Sequence, residues 1–398
     1  MWEIKTISSL GRVVTGKTPP KENVEYWDGA ELFVSPKDMG RDSTYINKTE
    51  ALTTTEALKK YKNQVLPQNS ILYTCLSFGF GKIGIAPKKL LTNQQINSII
   101  VNDQNDYRFV YYLLRVSTPF IFSYNSGIDT PIVPKSVFEK IKLSVPDLPK
   151  QKKIADILFT YDNLIENNNR RIELLEKAAQ ELYKEWFVRF RFPNHENTKF
   201  VKGLPEGWSI SKISVLYSTT SGGTPSRANA QFYVDGKYDW IKTGELCDRF
   251  ILDTEERITE EAVKNSSAKI IPVNSLILAM YGATIGKMGF TTKQSTCNQA
   301  CCVFTPQKGY GSKYLYFWLL NNREYVISIG FGAAQQNLSQ DLINKIKMLQ
   351  PTESLVNIFE ERIEPLFYEI KNLMKQNQNL KKQRDLLLPR LMSGRLEV

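Results

Sequence analysis

The sequence has very little of what most enzymes use for catalysis. It contains one histidine, His195, in the polar stretch RFPNHENTKF. A Ser-His-Asp triad, a histidine-rich metal site and an HNH-type nuclease centre all depend on histidine within the folded protein. The scarcity of histidine therefore argues against these centres, and we interpret His195 as an exposed linker residue.

Two glycine-rich stretches look like nucleotide-binding loops but have the wrong spacing. A phosphate-binding loop needs four residues between its glycines, and Ser or Thr after its lysine to hold magnesium. The stretch GATIGKMG, residues 282–289, has three residues between these glycines, and Met288 follows its lysine. GFGKIG, residues 79–84, fails similarly and does not match a dinucleotide-binding fingerprint. We therefore expect no nucleotide site.

Long apolar runs and a disulfide framework are also missing. No window approaches the roughly 18 apolar residues that span a bilayer, and the N-terminus MWEIKTISSLGRVV does not resemble a signal peptide. The five cysteines are unevenly spaced and odd in number, so we expect reduced thiols in a cytoplasmic protein. Cys297, Cys301 and Cys302 lie close together, but no second ligand pair follows them, which favours buried strand residues over a zinc site.

Positive charge is what the chain has in excess. Lys and Arg number 52 against 41 Asp and Glu, which gives a net charge of +11. Such an excess is typical of a nucleic-acid-binding protein, although a basic protein without that partner would have the same composition. The 398 residues, 42% of them hydrophobic, are enough for two or three domains with packed cores.

The sequence contains two copies of one large unit, at an offset of about 205 residues, which indicates a duplication. LPQNSILYTCLSFGFGKIGIA, residues 66–86, aligns with IPVNSLILAMYGATIGKMGF, residues 271–290. TGKTP at 15–19 matches SGGTP at 221–225. Each copy mixes β-branched and aromatic runs with Gly, Asn and Pro and a few short helical segments, which predicts an α+β domain.

Each copy ends in a long segment with apolar residues at heptad spacing. In the first, the seam runs from Ile154 to Trp186, and the second copy has matching positions from Phe359 to Leu391. This pattern is typical of a coiled coil, and a helix of this length is about 55 Å long, enough to separate two globular domains. Pro365 predicts that the second helix starts there or kinks. The alternative is an amphipathic helix packed on each domain separately.

Polar residues in the seams predict how the two helices pair. If the pair is antiparallel with Asn168 opposite Asn377, each buried amide meets the other. The same register places Tyr161 opposite Arg384, where the cation could lie against the ring. A shift by one heptad in either direction would separate the two amides.

The order of these features resembles a known family, the specificity subunits of type I restriction-modification enzymes. The resemblance covers nearly the whole chain. It is carried by the openings GKTPPKENVEYWDGAELFVSPKDM and GGTPSRANAQFYVDGKYDWIKTGEL, by GATIGK and NQA, by the helix NLIENNNRRIELLEKAAQELYKEWF and by the ending LKKQRDLLLPRLMSGRLEV.

This resemblance implies an α+β architecture in which two pseudo-two-fold-related globular target-recognition domains are joined by two long helices forming an antiparallel coiled coil. The implied segments are the first target-recognition domain at 1–150, the central conserved helix at 151–188, a linker at 189–207, the second target-recognition domain at 208–352 and the C-terminal conserved helix at 353–398.

The resemblance also implies a sequence-specific DNA-binding subunit that is not itself an enzyme. Each domain would recognise one half of a bipartite, asymmetric site on double-stranded DNA, and the coiled coil would set the spacer. The partners would be two methyltransferase (modification) subunits and restriction/translocase subunits, with no membrane involved. S-adenosylmethionine, ATP and magnesium would be used by those partners and not bound by this chain.

Two other functions remain open from the sequence. One is the recognition half split from a single-chain restriction enzyme, with nuclease activity of its own. The other is an interaction protein whose coiled coil recruits partners and whose positive charge is incidental.

Two matched loops are the main candidates for contacts with bases, given the resemblance. SPKDMGRD, residues 35–42, and IKTGELCDR, residues 241–249, would be the same loop in two domains that recognise different half-sites. Lys37 or Arg41 could contact guanine, and Asp38 or Glu245 could accept from a cytosine amino group.

The remaining candidates are assigned by side-chain chemistry. Asn125, Gln335 and Gln336 lie in or beside matched loops at 127–130 and 332–336, and amides suit contacts with adenine. Lysines suit contacts with phosphate, although simple solvation would explain them equally well; these are Lys17, Lys82, Lys242 and Lys287. Ser35, Thr243 and Tyr281 complete the predicted DNA-binding set.

Overall fold

Contacts within the chain divide it into two units. The first unit consists of residues 1–169 and 376–398, and the second consists of residues 170–375. The structure is a computed structural model, and it describes residues 2–40, 44–76, 80–126, 132–307, 309–330 and 337–398. No helix in these ranges is long and apolar enough to cross a membrane.

The helices range from single turns to two long elements. In chain order they are α1 Ile7–Leu10, α2 Thr55–Lys60, α3 Tyr107–Phe122, α4 Lys135–Phe138, α5 Leu148–Tyr183, α6 Ile213–Leu216, α7 Glu260–Lys264, α8 Ser312–Asn321, α9 Arg323–Ile329, α10 Gln340–Lys345 and α11 Glu353–Met392.

The strands of the first unit are short and rich in β-branched and aromatic residues, as strands generally are. They are β1 Trp2–Thr6, β2 Gly11–Thr15, β3 Trp27–Val34, β4 Ala51–Thr53, β5 Ile71–Thr74, β6 Ile83–Ile85, β7 Leu90–Thr92, β8 Ile96–Val101 and β9 Lys142–Pro146. In one sheet β2, β8, β5 and β6 are joined in that order by antiparallel pairs. In another, β3 lies between β4 and β7, and β1 pairs with β9.

The second unit repeats this topology and has three additional strands. Its strands are β10 Phe200–Val201, β11 Leu204–Pro205, β12 Ser209–Lys212, β13 Tyr217–Ser221, β14 Tyr238–Ile241, β15 Arg249–Ile251, β16 Arg257–Ile258, β17 Leu276–Ala279, β18 Met288–Thr291, β19 Ser295–Cys297, β20 Cys301–Pro306 and β21 Lys347–Gln350. In the five-stranded sheet β13-β20-β17-β18-β15, the first four strands match β2-β8-β5-β6. The sheet β16-β14-β19 matches β4-β3-β7, and β12-β21 matches β1-β9. The predicted duplication and the α+β class are therefore confirmed.

Repeated Asn and Gly residues mark the turns that this topology needs. Asn69 and Asn274 have φ angles of 67° and 62°, and Gly81 and Gly286 have φ angles of 75° and 78°. Asn and Gly tolerate this left-handed region better than other residues. The Asn-Ser pair that recurs in the two copies thus precedes the first strand of the central hairpins β5-β6 and β17-β18, and the Gly-Lys pair precedes the second strand.

Each unit packs its own core against its share of the long helices. In the first unit, Phe109 and Tyr112 of α3 are buried in one cluster with Ile154 and Leu158 of α5 and Leu391 of α11. Burial of such side chains is the main source of stability in a domain, at about 1.5–3 kcal/mol each.

The second unit does the same with matching elements. Tyr314 and Phe317 of α8 are buried with Tyr183 of α5 and Phe359 of α11. The ring centroids of Tyr183 and Phe317 are 5.7 Å apart, in a stacked arrangement. Cys297, Cys301 and Cys302 are buried, as predicted for strand residues.

Helix α11 does not begin at Pro365, where the sequence suggested that the helix starts or kinks. It starts at Glu353, so the predicted start at Pro365 is wrong. Pro365 is exposed, and a proline in a helix leaves one backbone carbonyl without its usual N–H donor. On an exposed face that carbonyl can bond to water, which explains how the helix continues.

In the antiparallel pair of α5 and α11, the two amides that the sequence predicted to be partners contact each other. Asn168 Nδ2 donates to Asn377 Oδ1 at 3.0 Å, and Asn377 Nδ2 donates to Asn169 Oδ1 at 2.8 Å. Both Asn168 and Asn377 are buried. A buried amide without partners costs about 1–3 kcal/mol, so this mutual pairing disfavours other registers.

The predicted contact between Arg384 and the ring of Tyr161 is replaced by an ion pair. Arg384 Nη1 pairs with Asp162 Oδ1, and the Tyr112 hydroxyl donates to Asp162 Oδ2. Arg384 Nη2 also lies 2.9 Å from Asp385 Oδ1. The reason is electrostatic, because a guanidinium taken out of water needs a carboxylate more than it needs a ring.

The second unit has an apolar set at the positions that match this ion pair. Phe317, Phe367 and Ala179 stand where the first unit has Tyr112, Asp162 and Arg384, and all three are buried. The rings of Phe317 and Phe367 meet edge to face, with centroids 5.9 Å apart. The same position in the scaffold therefore holds a buried ion pair in the first unit and packed aromatic rings in the second.

Removing Asp162 alone should strongly destabilise the first unit. Asp162→Ala leaves Arg384 buried without its main counter-ion, and breaking a buried pair in this way costs about 3–5 kcal/mol. A triple variant that copies the second unit, Tyr112→Phe with Asp162→Phe and Arg384→Ala, should recover most of that loss. The measurement is urea unfolding followed by circular dichroism.

The exposed pair of Arg171 with Glu369 supplies the control. Glu369→Ala should change the free energy of unfolding by less than about 1 kcal/mol, since exposed pairs contribute little. A triple variant as unstable as Asp162→Ala would show that the polar set is needed for packing and not only for charge balance.

Candidate nucleic-acid interface

The loop after β3 is closed by the carboxylate of Asp38. The Ser35 backbone N–H and Oγ both donate to Asp38 Oδ2 at 2.7 Å, and the Glu50 N–H donates to Asp38 Oδ1 at 2.7 Å. Both carboxylate oxygens are therefore engaged within the protein. Asp38 therefore shapes the loop, and its predicted contact with cytosine stays a prediction.

The matched loop after β14 is closed in the same way by Glu245. The Lys242 N–H donates to Glu245 Oε2 at 2.7 Å, and the Glu255 N–H donates to Glu245 Oε1 at 2.9 Å. Burial raises the pKa of Glu245 above its usual range. Glu245 thus takes the same structural part as Asp38, with each carboxylate oxygen accepting a backbone hydrogen bond, and its predicted contact with cytosine stays a prediction. Thr243 is half-buried in the turn between Lys242 and Glu245.

Two of the predicted phosphate-binding lysines hold these loops in place. Lys82 Nζ donates to the Pro36 carbonyl oxygen at 2.7 Å, and Lys287 Nζ lies 2.9 Å from Asp248 Oδ2. Lys82 and Lys287 occupy the same position in the two copies. Each one ties the central hairpin to the neighbouring loop.

The other lysine candidates differ in how exposed they are and in whether an acidic side chain within the protein pairs with them. Lys242 Nζ pairs with Glu255 at 2.8 Å and with Glu256 at 3.1 Å. Lys17 is exposed, with Nζ 5.7 Å from the centroid of the Tyr61 ring. The Lys37 side chain is 83% exposed, and its nearest acidic partner lies at 4.0 Å. Among the described lysines of the two loops, Lys37 is therefore the one best placed to meet an external anion.

The remaining candidates are distributed between helix ends and the core. Asn125 Nδ2 donates to the Phe122 carbonyl oxygen at 2.8 Å and so caps the end of α3. Tyr281 is partly buried against the core of the second unit, and burial raises its pKa. Arg41, Gln335 and Gln336 lie outside the described residues.

Asp248 is a central loop residue that sequence reasoning missed. Its carboxylate accepts from Lys287 Nζ, from the Met288 N–H at 3.1 Å and from Arg323 Nη1 at 3.1 Å. Asp248 has a φ angle of 64°, which Asp tolerates better than most residues. Its position at the end of a matched loop was the one sequence feature that could have marked it as a candidate. Its three partners could not be recognised in the sequence, because they lie far from Asp248 along the chain.

Arg227 forms a second cluster that the sequence did not reveal. Its guanidinium carbon lies 4.3 Å from the Tyr233 ring centroid and 5.0 Å from that of Trp240. Arg227 Nη2 donates to Glu256 Oε1 at 3.1 Å. Hydrogen bonding from Arg227, with Lys242 beside it, lowers the pKa of Glu256 to about 2. Glu256 therefore neutralises positive charge next to the second loop.

The described residues contain no group of three His, Cys, Asp or Glu side chains that could hold a metal ion. What the geometry brings together is a pair of matched loops, each closed by one carboxylate and braced by one lysine, with different side chains exposed at each.

Removing the closing carboxylate should open the first loop locally. In Asp38→Ala, the Ser35 and Glu50 amides lose their acceptor, so their hydrogen exchange should rise by at least tenfold, equivalent to about 1.4 kcal/mol per tenfold. Lys37→Ala is the matched control and should leave both amides unchanged. Unchanged exchange in Asp38→Ala would contradict a role for Asp38 in shaping the loop.

The contribution of Glu256 to the stability of the fold should depend on pH in a defined direction. The pKa of Glu256 is lowered in the folded protein, so its charge stabilises the fold above the pKa of an unfolded glutamate, near 4.3. This contribution is lost as the pH falls toward about 2. The melting temperature of Glu256→Gln should therefore be below wild type at pH 7, and the gap should narrow between about pH 5 and pH 3. A gap that stays constant would contradict this assignment.

Both copies of the repeated unit match a known protein family. A family model described as the type I restriction modification DNA specificity domain matches residues 1–177 and again residues 205–380. The type I restriction enzyme MjaIX specificity subunit of Methanocaldococcus jannaschii is 28% identical over 408 aligned residues, covering 100% of this chain and 94% of that protein. The HindI specificity subunit of Haemophilus influenzae is 26% identical, covering 66% of this chain and 71% of that protein.

A solved structure shares the fold. The crystal structure of the type I restriction-modification S subunit from M. genitalium superposes with a TM-score of 0.63 at 16% identity, covering 98% of this chain and 96% of that one. Because the family model matches most of the chain, in two copies, this protein belongs to the type I restriction-modification DNA specificity family, as a DNA-recognition subunit that is not itself catalytic.

Proposed function

We propose that this chain recognises a bipartite, asymmetric site on double-stranded DNA, with one half-site for each copy of the repeated domain. The observation that carries the proposal is that one scaffold occurs twice with different exposed loop residues. The closing carboxylate and bracing lysine recur, whereas the first loop exposes Lys37 and the second loop has Gly244 at the matching position. Equal scaffolds with unequal contact residues suit two half-sites of different sequence.

The long helices are proposed to set the spacer between the half-sites. Helix α5 has 36 residues and α11 has 40 residues, so each is on the order of 55–60 Å long at about 1.5 Å per residue. Half-site centres on one face of a duplex are about 34–36 Å apart for each helical turn. Helices of this length are sufficient for such a spacing.

The proposed partners are two methyltransferase subunits and restriction/translocase subunits. S-adenosylmethionine, ATP and magnesium would serve those subunits and would not bind this chain directly. The long helices offer apolar surface for assembly, because several of their large apolar side chains are exposed; these include Ile157, Leu164, Leu174, Ile358 and Leu386. Exposed apolar residues of this size suit a protein interface.

The proposed function is tested by mapping modified adenines. The chain is co-expressed with a methyltransferase subunit from its own system, and single-molecule sequencing locates methylated adenines across the host genome. The expected result is one motif of two short halves around a fixed gap. Exchange of residues 208–352 for those of a relative should change one half only.

The spacer is tested by removing one heptad from both helices. Deleting 169–175 from α5 and 370–376 from α11 keeps Asn168 opposite Asn377 and shortens the pair by about 10 Å. The gap in the motif should shorten by about three base pairs, at about 3.4 Å for each. The control removes 169–175 alone, which should prevent the helices from pairing correctly. An unchanged gap would contradict the spacer role, and magnesium-dependent cleavage by the purified chain alone would indicate a nuclease instead.

A further inference from the structure

An exposed group of aromatic residues ends helix α3 of the first unit. Phe120, Phe122 and Tyr124 are 47%, 40% and 42% exposed. The rings of Phe120 and Tyr124 meet edge to face at 5.3 Å, and Phe122 meets the partly buried Phe80 at 4.9 Å. We call these four residues the aromatic patch. They form two separate ring pairs at one end of the helix, and exposed aromatic side chains grouped in this way suit an interaction site.

The aromatic patch is linked by contacts to the loop that exposes Lys37. Gly81 packs on α3 so closely that an added Cβ would lie 2.3 Å from Thr118 Cγ2. The next residue, Lys82, donates to the carbonyl oxygen of Pro36 in the loop. The Phe80–Phe122 pair and the loop that exposes Lys37 are therefore connected through the turn at Phe80–Lys82, and aromatic side chains together with a cation suit a nucleic acid.

The second unit does not reproduce the aromatic patch. Tyr325, which matches Phe120, is 50% exposed. At the other three positions, however, the second unit has isoleucine; these residues are Ile285, Ile327 and Ile329. Two identical methyltransferase subunits would need similar surfaces on both copies, whereas two different half-sites need different ones. The asymmetry favours DNA over a shared protein partner.

Thymine supplies the group that such a surface could recognise. Its C5-methyl is the apolar group that the major groove displays, and apolar side chains, phenylalanine included, contact it. We propose that the aromatic patch contacts the methyl group of one thymine in the half-site recognised by the first unit. This inference rests on the proposed function, and it adds an apolar, methyl-dependent contact to recognition by hydrogen bonds.

The test replaces thymine by deoxyuridine, which removes only the methyl group. The chain, in complex with its methyltransferase subunits, is titrated with duplexes carrying the mapped motif at fixed salt. Each thymine of the first half-site is replaced in turn. We expect one replacement to weaken binding by about three- to fivefold, the effect of leaving one methyl group unburied.

Phe120→Ala identifies the protein side of the contact. Phe120 is the most exposed member of the aromatic patch, and its removal leaves the Phe80–Phe122 contact in place. The variant should bind the thymine duplex about three- to fivefold more weakly and show no further loss with deoxyuridine. Phe120→Leu, which keeps an apolar side chain, should retain part of the difference and guards against a folding defect. Ile4→Ala, at an isoleucine that is 68% exposed on β1, is the control and should behave as wild type.

Three results would overturn the proposal. One is specific binding that is indifferent to deoxyuridine at every position, which leaves the proposed function intact. Another is a thymine preference that survives in Phe120→Ala. A third is loss of methyltransferase binding in Phe120→Ala with an unchanged thymine preference, which would make the aromatic patch a protein interface. If the genome map shows no bipartite motif, the proposed function itself fails, and this inference fails with it.

Discussion

The register of α5 against α11 is the constraint on which both cores depend. The paired amides of Asn168 and Asn377 are buried among apolar seam residues, so any other register would bury them without partners. Once that register is set, α3 packs on both helices in the first unit, and α8 packs on both in the second. Hydrophobic burial supplies the stability of the helix pair, and the amides restrict the two helices to one alignment.

The duplicated scaffold keeps its backbone design while changing its side-chain chemistry. Tyr112, Asp162 and Arg384 form a buried polar cluster in the first unit, and aromatic packing fills the matching place in the second. The loops behave in the same way, since Asp38 and Glu245 differ in length but close their loops through equivalent hydrogen bonds. A scaffold that tolerates such exchanges is suited to present different contact surfaces from one fold.

Charged residues near the loops are largely used by the protein itself. Lys82, Lys242 and Lys287 are engaged by internal acceptors, and Glu256 neutralises both Arg227 and Lys242. Exposed Lys37 and the aromatic patch are what the first unit offers outward. In the proposed function, loop shape, held by internal hydrogen bonds, therefore contributes to recognition alongside the basic residues.

The sequence by itself determined the duplication, the α+β class, the long helices and the pairing of Asn168 with Asn377. These follow from periodicity and from the rare polar residues in an apolar seam, which are visible along the chain. Only the tertiary structure decided that Arg384 pairs with Asp162 and that Asp38 and Glu245 close loops. The physical reason is range, because a hydrogen bond or ion pair depends on neighbours within about 3–4 Å. Residues far apart in sequence become such neighbours only in the folded chain.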